Sequence, residues 1–562
     1  MTQLRASDGL AAVLLLLTVV SVVVRYVTPE TGFYWWDYAD YHNYAILVAD
    51  VFRQSPSDGW EFVRQTLSQQ KNALHSLPLL PILQLGHHSR LAYILSLALM
   101  YLIPFALGMG AIATELPLRH LGTWGKRPIF WFTTVLTLLL PMTWIPMLRG
   151  YPDIGGAMVL VWAIWLYLRY PRLRQPWQIL ALGAMLALTV LLRRHFAYAA
   201  LTLVLAVALS QRFNFGKDWR QSLILWLRLA MVGIVSLIIM AIVAPEFTQK
   251  AMTTDFSSRY QLWSLPLGVM LSRTGAAYGW GLWAMAIVGW LLSQRWGQPG
   301  WRVVGIAAGL SLGVVLLKLR YGNLHYTLHL TPWLVLGLLA FIEGLLEKRQ
   351  RRWGLVLLGA YLLVNVSSGL GMLSVPQSST LSEPFPERVL ARVSLNRFLA
   401  KAHPPLVRED TAELERLLRR LQELSQQQQT VALLAASNQV NASMFQSEAF
   451  QRFGSSSPLT LLPVAIFDGP VSPWETVSEA DVVIVATPPQ LIELQDEQVV
   501  RSQSQTMIRL ISEAFLQNKA LTDEFRRLPD AFELQGGVQL WFYERYRPTV
   551  VDADASNPPD NG

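Results

Sequence analysis

Apolar runs long enough to cross a bilayer recur along the first two thirds of the chain, and they leave little choice of architecture. Segments of about 17 to 25 residues fall at 9–27, 90–113, 128–148, 153–170, 177–193, 196–211, 221–243, 276–293, 303–319, 327–346 and 354–373. A chain of 562 residues that is 52% hydrophobic and 15% charged is too apolar for a water-soluble protein of that size. The sequence predicts a mainly α polytopic bundle of about eleven transmembrane helices. It contains no cysteine, so disulfides, thiolate metal sites and cysteine nucleophiles are excluded. Arg5 followed by the apolar run 10–24 looks like a secretory signal, but no small-residue cleavage pattern follows. An uncleaved first span is expected.

The net charge of +8 conceals an uneven distribution: roughly two thirds of the Lys and Arg precede residue 374, and the remainder of the chain is net acidic. The basic excess is a topology signal and makes no case for nucleic acid. Arg119, Lys126 and Arg127, then Arg172 and Arg174, Arg212, Lys217 and Arg220, Arg295 and Arg302, and Lys348, Arg349, Arg351 and Arg352 occupy alternate loops. By the positive-inside rule these loops face the cytoplasm, with the N-terminus inside and everything after 373 outside. A multi-pass protein of a bacterial inner membrane is expected.

The opposite face collects the unusual sequences. Its first loop, 28–89, is too long for a simple connection. It opens with Phe33-Tyr34-Trp35-Trp36-Asp37-Tyr38-Ala39-Asp40-Tyr41. Aromatic rings suit a lipid–water boundary, but carboxylates near hydrocarbon are costly unless paired, hydrated or used in chemistry. Interfacial helices are expected near 43–53 and 60–70, and 77–85, broken by Pro78 and Pro81, is too short to span. The same face receives Arg149-Gly150-Tyr151-Pro152-Asp153, Arg193-Arg194-His195-Phe196, the segment 244–275 and Lys318-Leu319-Arg320-Tyr321 with His325-Tyr326. Residues 256–271 could form a flat lid or a plain loop. Outward-facing cations gain nothing from the topology rule; anionic ligands would explain them, and snorkelling to lipid phosphates is the alternative.

After 373 the pattern becomes that of a soluble domain, expected at 374–547 with a disordered tail at 548–562. A Ser/Pro-rich linker at 376–386 leads to an amphipathic helix at 406–428, and strand-like runs at 430–435, 459–467, 481–487 and 538–543 alternate with helical segments such as 502–516. That alternation predicts a small α/β sheet packed by helices. Ser437-Asn438-Gln439 reads as a helix cap or a ligand turn.

Trp36-Asp37 followed by Tyr41 and Ala45, Lys71-Asn72-Ala73-Leu74-His75-Ser76-Leu77-Pro78-Leu79, and Lys318-x-x-Tyr321 with His325-Tyr326 and Pro332 together resemble the GT-C glycosyltransferases, in the branch of protein mannosyltransferases and the lipid A aminoarabinose transferase. The resemblance covers about the first 370 residues in arrangement. It departs from the branch at Tyr38, where a Glu is expected, and in an incomplete His-Pro-Pro. It implies glycosyl transfer from a polyprenyl-phosphate sugar to an acceptor hydroxyl on a glycan, lipid or protein at the extracytoplasmic face. On that reading Asp37 is the general base, with Asp40 second. Arg193, Arg194, Lys318, Arg320, Arg149 and His325 would meet the donor phosphate, and Trp36, Tyr41, His75, Tyr151, Asp153 and Tyr326 would contact substrate. Direct displacement would invert the anomeric centre. No cofactor is certain; Asp37, Asp40 and Asp153 could instead hold Mg2+ or Mn2+. Two other classes stay open: a transporter or flippase for an anionic lipid or solute, and a non-catalytic envelope-assembly protein. The first would favour internal repeats and mid-membrane charges, neither of which is evident.

Overall fold

The computed structural model describes residues 6–69, 71–85, 88–212, 219–254, 264–320, 322–347, 351–373, 397–454, 459–462, 464, 472–491, 503–519 and 523–546. The linker at 376–386, the tail from 548 and the first half of the expected lid lie outside these residues. The chain divides into two compact units: Met1–Glu30, Asp37–Gln377 and Pro386–Leu406 form the first, and Thr31–Trp36, Ser378–Phe385 and Val407–Gly562 the second.

The first unit is helical. Each of the eleven apolar segments falls on a helix or a bent helix pair. Among the described residues four helices are long and apolar enough to cross a membrane by length and composition, Ala6–Val27, Arg90–Glu115, Trp219–Val243 and Pro299–Leu319. The number becomes six if two bent pairs each count as one span. One pair, Lys126–Leu138 and Pro141–Leu148, bends by 55° where Pro141 starts a new helix. The other, Leu267–Tyr278 and Trp280–Arg295, turns by 93° at Gly279, whose φ of 86° suits a residue without Cβ.

Helix Trp280–Arg295 approaches helix Thr331–Leu346 closely at Gly289. A Cβ there would lie 1.8 Å from the Gly337 carbonyl oxygen, so small residues set this crossing. At the other end of Thr331–Leu346 the buried carboxylate of Glu343 accepts backbone N–H groups from Arg119 and His120 at 2.6 Å and from Leu121 at 2.9 Å. This satisfies an irregular loop that would otherwise carry unpaired donors. Arg149 is likewise structural in its contacts: its guanidinium reaches Glu30 at 3.4 Å, donates to the Pro404 carbonyl at 2.7 Å and lies over the Tyr26 ring.

The first outer loop holds more helix than its sequence signals. Trp36–Gln54 begins seven residues before the expected 43–53, so Asp37 and Asp40 lie within its first five residues rather than in the approach to it. Pro56–Thr66 follows, capped by Ser55. The stretch too short to span, 77–85, falls on the end of a 3-10 helix, Ala73–Leu79, capped by Asn72, and on the α turn that continues it, Leu80–Leu83.

The second unit contains a five-stranded sheet of order β2-β1-β3-β5-β4, with β1 Val431–Ala435, β2 Leu461–Leu462, β3 Val482–Gln490, β4 Phe525–Leu534 and β5 Val538–Arg545. β1 pairs in parallel with β2 and β3, and β5 runs antiparallel to β3 and β4. Helix Thr411–Gln426 buries Leu414, Leu417, Leu418, Leu421 and Leu424, the stripe expected from the sequence. β4 was not expected: it carries Arg526, Arg527, Pro529 and Asp530, and as an edge strand it needs no apolar alternation along most of its length. Ser437 does not cap the next helix. Its hydroxyl accepts from the Gln439 and Val440 N–H groups within its own turn, and Asn441 caps Ala442–Phe453.

Candidate active site

The site begins on the first turn of Trp36–Gln54. Three residues apart on a helix, Asp37 and Asp40 share a face, and Lys71, from the turn before the 3-10 helix, places its ammonium between them. Lys71 Nζ lies 2.5 Å from Asp37 Oδ1 and 2.5 Å from Asp40 Oδ2. The three side chains are 27–34% exposed, so the cluster is open to solvent on one side. Burial pushes the Asp37 carboxyl up, but Lys71, with help from His325 and Arg193, outweighs it and holds Asp37 below the ordinary carboxylate range. For Asp40 burial wins over Lys71, and its carboxyl is raised. Burial alone would lower Lys71, yet the two carboxylates hold its ammonium firmly protonated. The pair is therefore asymmetric: Asp37 faces the basic side of the site and Asp40 faces Lys71 alone.

From Lys71 the network continues through Tyr41, one helical turn beyond Asp37. The ammonium lies 5.7 Å from the centre of the Tyr41 ring, and the Arg193 guanidinium lies 4.5 Å from it. Arg193 also donates to the Tyr41 hydroxyl. Its Nε is 3.0 Å from Asp153 Oδ2, a charge contact without hydrogen-bond alignment. Asp153, at the start of helix Asp153–Arg169, is fully buried. Its second oxygen meets His195 Nε2 at 2.5 Å, and His195 Nδ1 meets His329 Nε2 at 2.6 Å. Tyr151, His325 and Tyr326 close the aromatic wall: the Tyr151 and His325 rings are 4.6 Å apart, and Tyr326 lies 4.7 Å from His195. His75 sits behind Tyr41, accepting or donating at the carbonyls of Asn72 (3.0 Å) and Tyr41 (3.3 Å), and burial pushes it down to about 4. A neutral His75 is a fixed wall and carries no charge into the site.

Asp37, Asp40, Tyr41, His75, Tyr151, Asp153, Arg193, His325 and Tyr326 thus form one connected cluster. The other candidates lie elsewhere. Arg149 is engaged by Glu30 and Pro404. The Arg194 guanidinium stacks 4.3 Å from the centre of the Phe247 ring. Arg320, with φ 45°, donates from Nε to the Leu265 carbonyl at 2.9 Å. Lys318 is exposed on the π-helical turn Val314–Leu319 that ends its span. Trp36 belongs to the second unit and donates its N–H to Ser443 Oγ at 3.0 Å. Sequence reasoning missed Lys71, His195 and His329 as members of the cluster. Lys71 had a signal, being one of two cations, with Arg64, in the second half of a loop that opens with two acids; the histidines had only their neighbours.

Asp37 and Asp40 have an ammonium where a divalent cation would sit, so the metal set Asp37, Asp40 and Asp153 is not the grouping that forms. Asp153, His195 and His325 instead offer ligand atoms within 4.8 Å of one another. These donors suit a transition metal better than Mg2+. Tetrahedral ligands at about 2.0–2.1 Å stand roughly 3.3 Å apart, so the 2.5 Å Asp153–His195 contact must open before both could ligate one ion. Arg193 beside Asp153 opposes that charge.

Fold and site define a polytopic helical membrane protein with a carboxylate–lysine centre at the helix ends. No family model matches the chain, and no curated protein matches it. Among solved structures it is similar to ArnT from Cupriavidus metallidurans in the apo state, at 17% identity and TM-score 0.44 over 66% of this chain and 67% of that one. It is similar to ArnT bound to undecaprenyl phosphate at 17% identity and TM-score 0.44, over 65% of each chain. The oligosaccharyltransferase of Archaeoglobus fulgidus in the apo form follows at 10% identity and TM-score 0.41, over 84% of this chain and 69% of that one. The chain therefore spans about two thirds of the length of ArnT.

Proposed function

We propose that the protein is a membrane glycosyltransferase that moves a sugar from a polyprenyl-phosphate donor to an acceptor hydroxyl at the extracytoplasmic face of a bacterial inner membrane. The observation that carries this reading is the carboxylate pair held around Lys71 and joined through Tyr41 to Arg193. An acceptor hydroxyl is a weak nucleophile until a base takes its proton as it attacks. Asp37 suits that role because it stays ionised, and because it is the acid that feels His325 and Arg193, on the side where an anionic leaving group would gain most. Attack on the anomeric carbon with departure of the lipid phosphate inverts that centre, and the proton passes to Asp37. Arg193, with Lys318 from the exposed turn, would offset the charge that develops on the phosphate. Asp153 holds Arg193 in place and His195 holds Asp153. Tyr41, Tyr151 and Tyr326 offer ring faces to a sugar. The soluble unit after residue 406 is proposed to be extracytoplasmic, and the eleven apolar helices to be spans.

The test uses purified protein and radiolabelled polyprenyl-phosphate sugars, undecaprenyl derivatives first, with an envelope acceptor fraction. Transfer of label to acceptor, with inverted anomeric configuration, is the expected result. Binding of no donor above background, together with no transfer from any of them, would overturn the reading in favour of transport or assembly.

A further inference from the structure

The first unit does not end with its last long helix, Arg351–Gly369: Pro386–Leu406 also belongs to it, and the stretch 398–401 lies against the bend at Gly279. A turn of 93° between Leu267–Tyr278 and Trp280–Arg295 leaves backbone groups on each side without intrahelical partners. The stretch supplies them. The Lys401 N–H donates to the Ala276 carbonyl at 2.8 Å, and the Phe398 carbonyl accepts the Gly281 N–H at 3.2 Å. Asn365, fully buried on Arg351–Gly369, completes the set: its Nδ2 donates to the Tyr278 carbonyl at 2.9 Å and its Oδ1 accepts the Ala400 N–H at 2.7 Å. A Cβ on Gly279 would stand 2.6 Å from the Phe398 carbonyl oxygen and 2.8 Å from Asn365 Oδ1, so the bend and the stretch are in direct contact. Tyr278, the last residue before the bend, is also fully buried. Its hydroxyl donates to the Thr327 carbonyl at 2.6 Å and meets Thr331 Oγ1 at 2.8 Å. Thr327 lies within the 3-10 helix Leu324–His329, which carries His325, Tyr326 and His329 of the site. Such a short 3-10 piece has poorer internal hydrogen bonds than an α-helix and takes its place from outside contacts.

We infer that Tyr278 and Asn365 are positioning residues for the aromatic wall of the site: Asn365 and the stretch 398–401 pin the bend, and the Tyr278 hydroxyl carries that fixed point to the 3-10 helix, setting where His325 and Tyr326 stand. Both act through the Thr327 carbonyl. His325 reports the effect directly, because it is 5% exposed and its Nδ1 has no hydrogen-bond partner among the described residues. Its place therefore depends on the helix that bears it and on ring contacts with Tyr151, His195 and Tyr326. The inference deepens the transferase reading, on which its second readout rests and its first does not.

In the full-length protein, Tyr278→Phe, Asn365→Ala and Thr274→Val are compared with the parent. Thr274→Val is the control: it removes a buried hydroxyl from the same helix, one whose bond to the Met270 carbonyl stays within that helix. The first readout is the rate at which diethyl pyrocarbonate modifies His325, located by fragmentation mass spectrometry and referred to His120, whose side chain is 41% exposed. Tyr278→Phe is expected to raise the His325 rate about fivefold, the scale of one lost hydrogen bond. Asn365→Ala should raise it at least as much, and Thr274→Val should leave it at the parent value. Tyr278→Phe keeps the ring and its edge contact with Trp283, so it decides the matter even where Asn365→Ala fails to fold. The second readout, in the transfer assay, is a donor KM raised by a similar factor with kcat near the parent, since Asp37 and Lys71 stand on other elements and what is lost is binding at the wall. A parent without transfer activity would sink the transferase reading, and the His325 rates would still decide this one. An unchanged His325 rate in Tyr278→Phe would overturn it, as would an equal rise in Thr274→Val.

Discussion

Replacing Lys71 with methionine keeps the aliphatic stem and removes the cation that two carboxylates share. Losing one partner of a fully buried pair costs about 3–5 kcal/mol. Here the side chains are 27–34% exposed, and solvent screening brings the expected cost to about 2 kcal/mol. The pH dependence follows from the directions of the shifts. Asp37 is held low, so its contribution to stability is present above its ordinary pKa of about 4 and fades as pH falls through the lowered value. Lys71 is held high, so its contribution is present below its ordinary pKa of about 10.4 and is lost as pH rises beyond it. Asp40, raised by burial, works the other way: its contribution is present below about pH 4 and is lost as pH rises through its raised value. The Lys71→Met deficit should therefore be full between about pH 5 and 9 and should shrink as pH falls below about 4 and through the lowered value of Asp37. Two facing acids without a cation cannot both ionise cheaply, so Lys71→Met/Asp40→Asn should recover about half of the loss. Unfolding in detergent, followed by tryptophan fluorescence across that pH range, measures each of these. A deficit that does not change with pH, or a double mutant no better than the single, would refute the account of the centre.

Other parts of the first unit make their own predictions. Glu343→Leu leaves three N–H groups, one buried and two partly buried, without their charged acceptor and should cost about 3–5 kcal/mol, whereas Glu343→Gln, which keeps an acceptor oxygen, should cost roughly half as much by the same unfolding measurement. Gly289→Ala pushes a methyl into the Gly337 carbonyl and should destabilise by about 1–3 kcal/mol, unlike Gly309→Ala, where a Cβ meets open space. Arg149→Met leaves Glu30, whose side chain is 1% exposed, with the Leu406 N–H but without the cation that faces it, and should lower stability by about 3–5 kcal/mol; Glu30→Gln in the same chain should return part of it.

The apolar helices were legible because each burial pattern is local: a run such as 221–243 states its own length and polarity. The helix of 411–426 was legible for the same reason, its leucines recurring at helical spacing. The start of Trp36–Gln54 was not, because a Trp with φ 44° and a partner 407 residues distant leaves no mark in a local pattern. Phe33, Tyr34 and Trp35 misled in the same way: their composition fits a membrane belt as well as a packed core. In the site, Asp37, Asp153 and Arg193 stood out because charge at a span end demands an explanation. His195 and His329 did not, since a neutral buried histidine looks like any polar residue until its neighbours are known. β4 escaped because an edge strand with Arg526, Arg527 and Asp530 has the composition of a loop.

The most direct test of the central claim compares the parent with Asp37→Asn and Asp40→Asn, measuring donor binding and sugar transfer on the same preparations. The account predicts that Asp37→Asn binds the polyprenyl-phosphate sugar as the parent does but loses at least about a hundredfold in transfer, the range expected for a general base. Asp40→Asn should retain the larger share of activity. Full transfer by Asp37→Asn, at parent rates and with parent donor binding, would contradict the account.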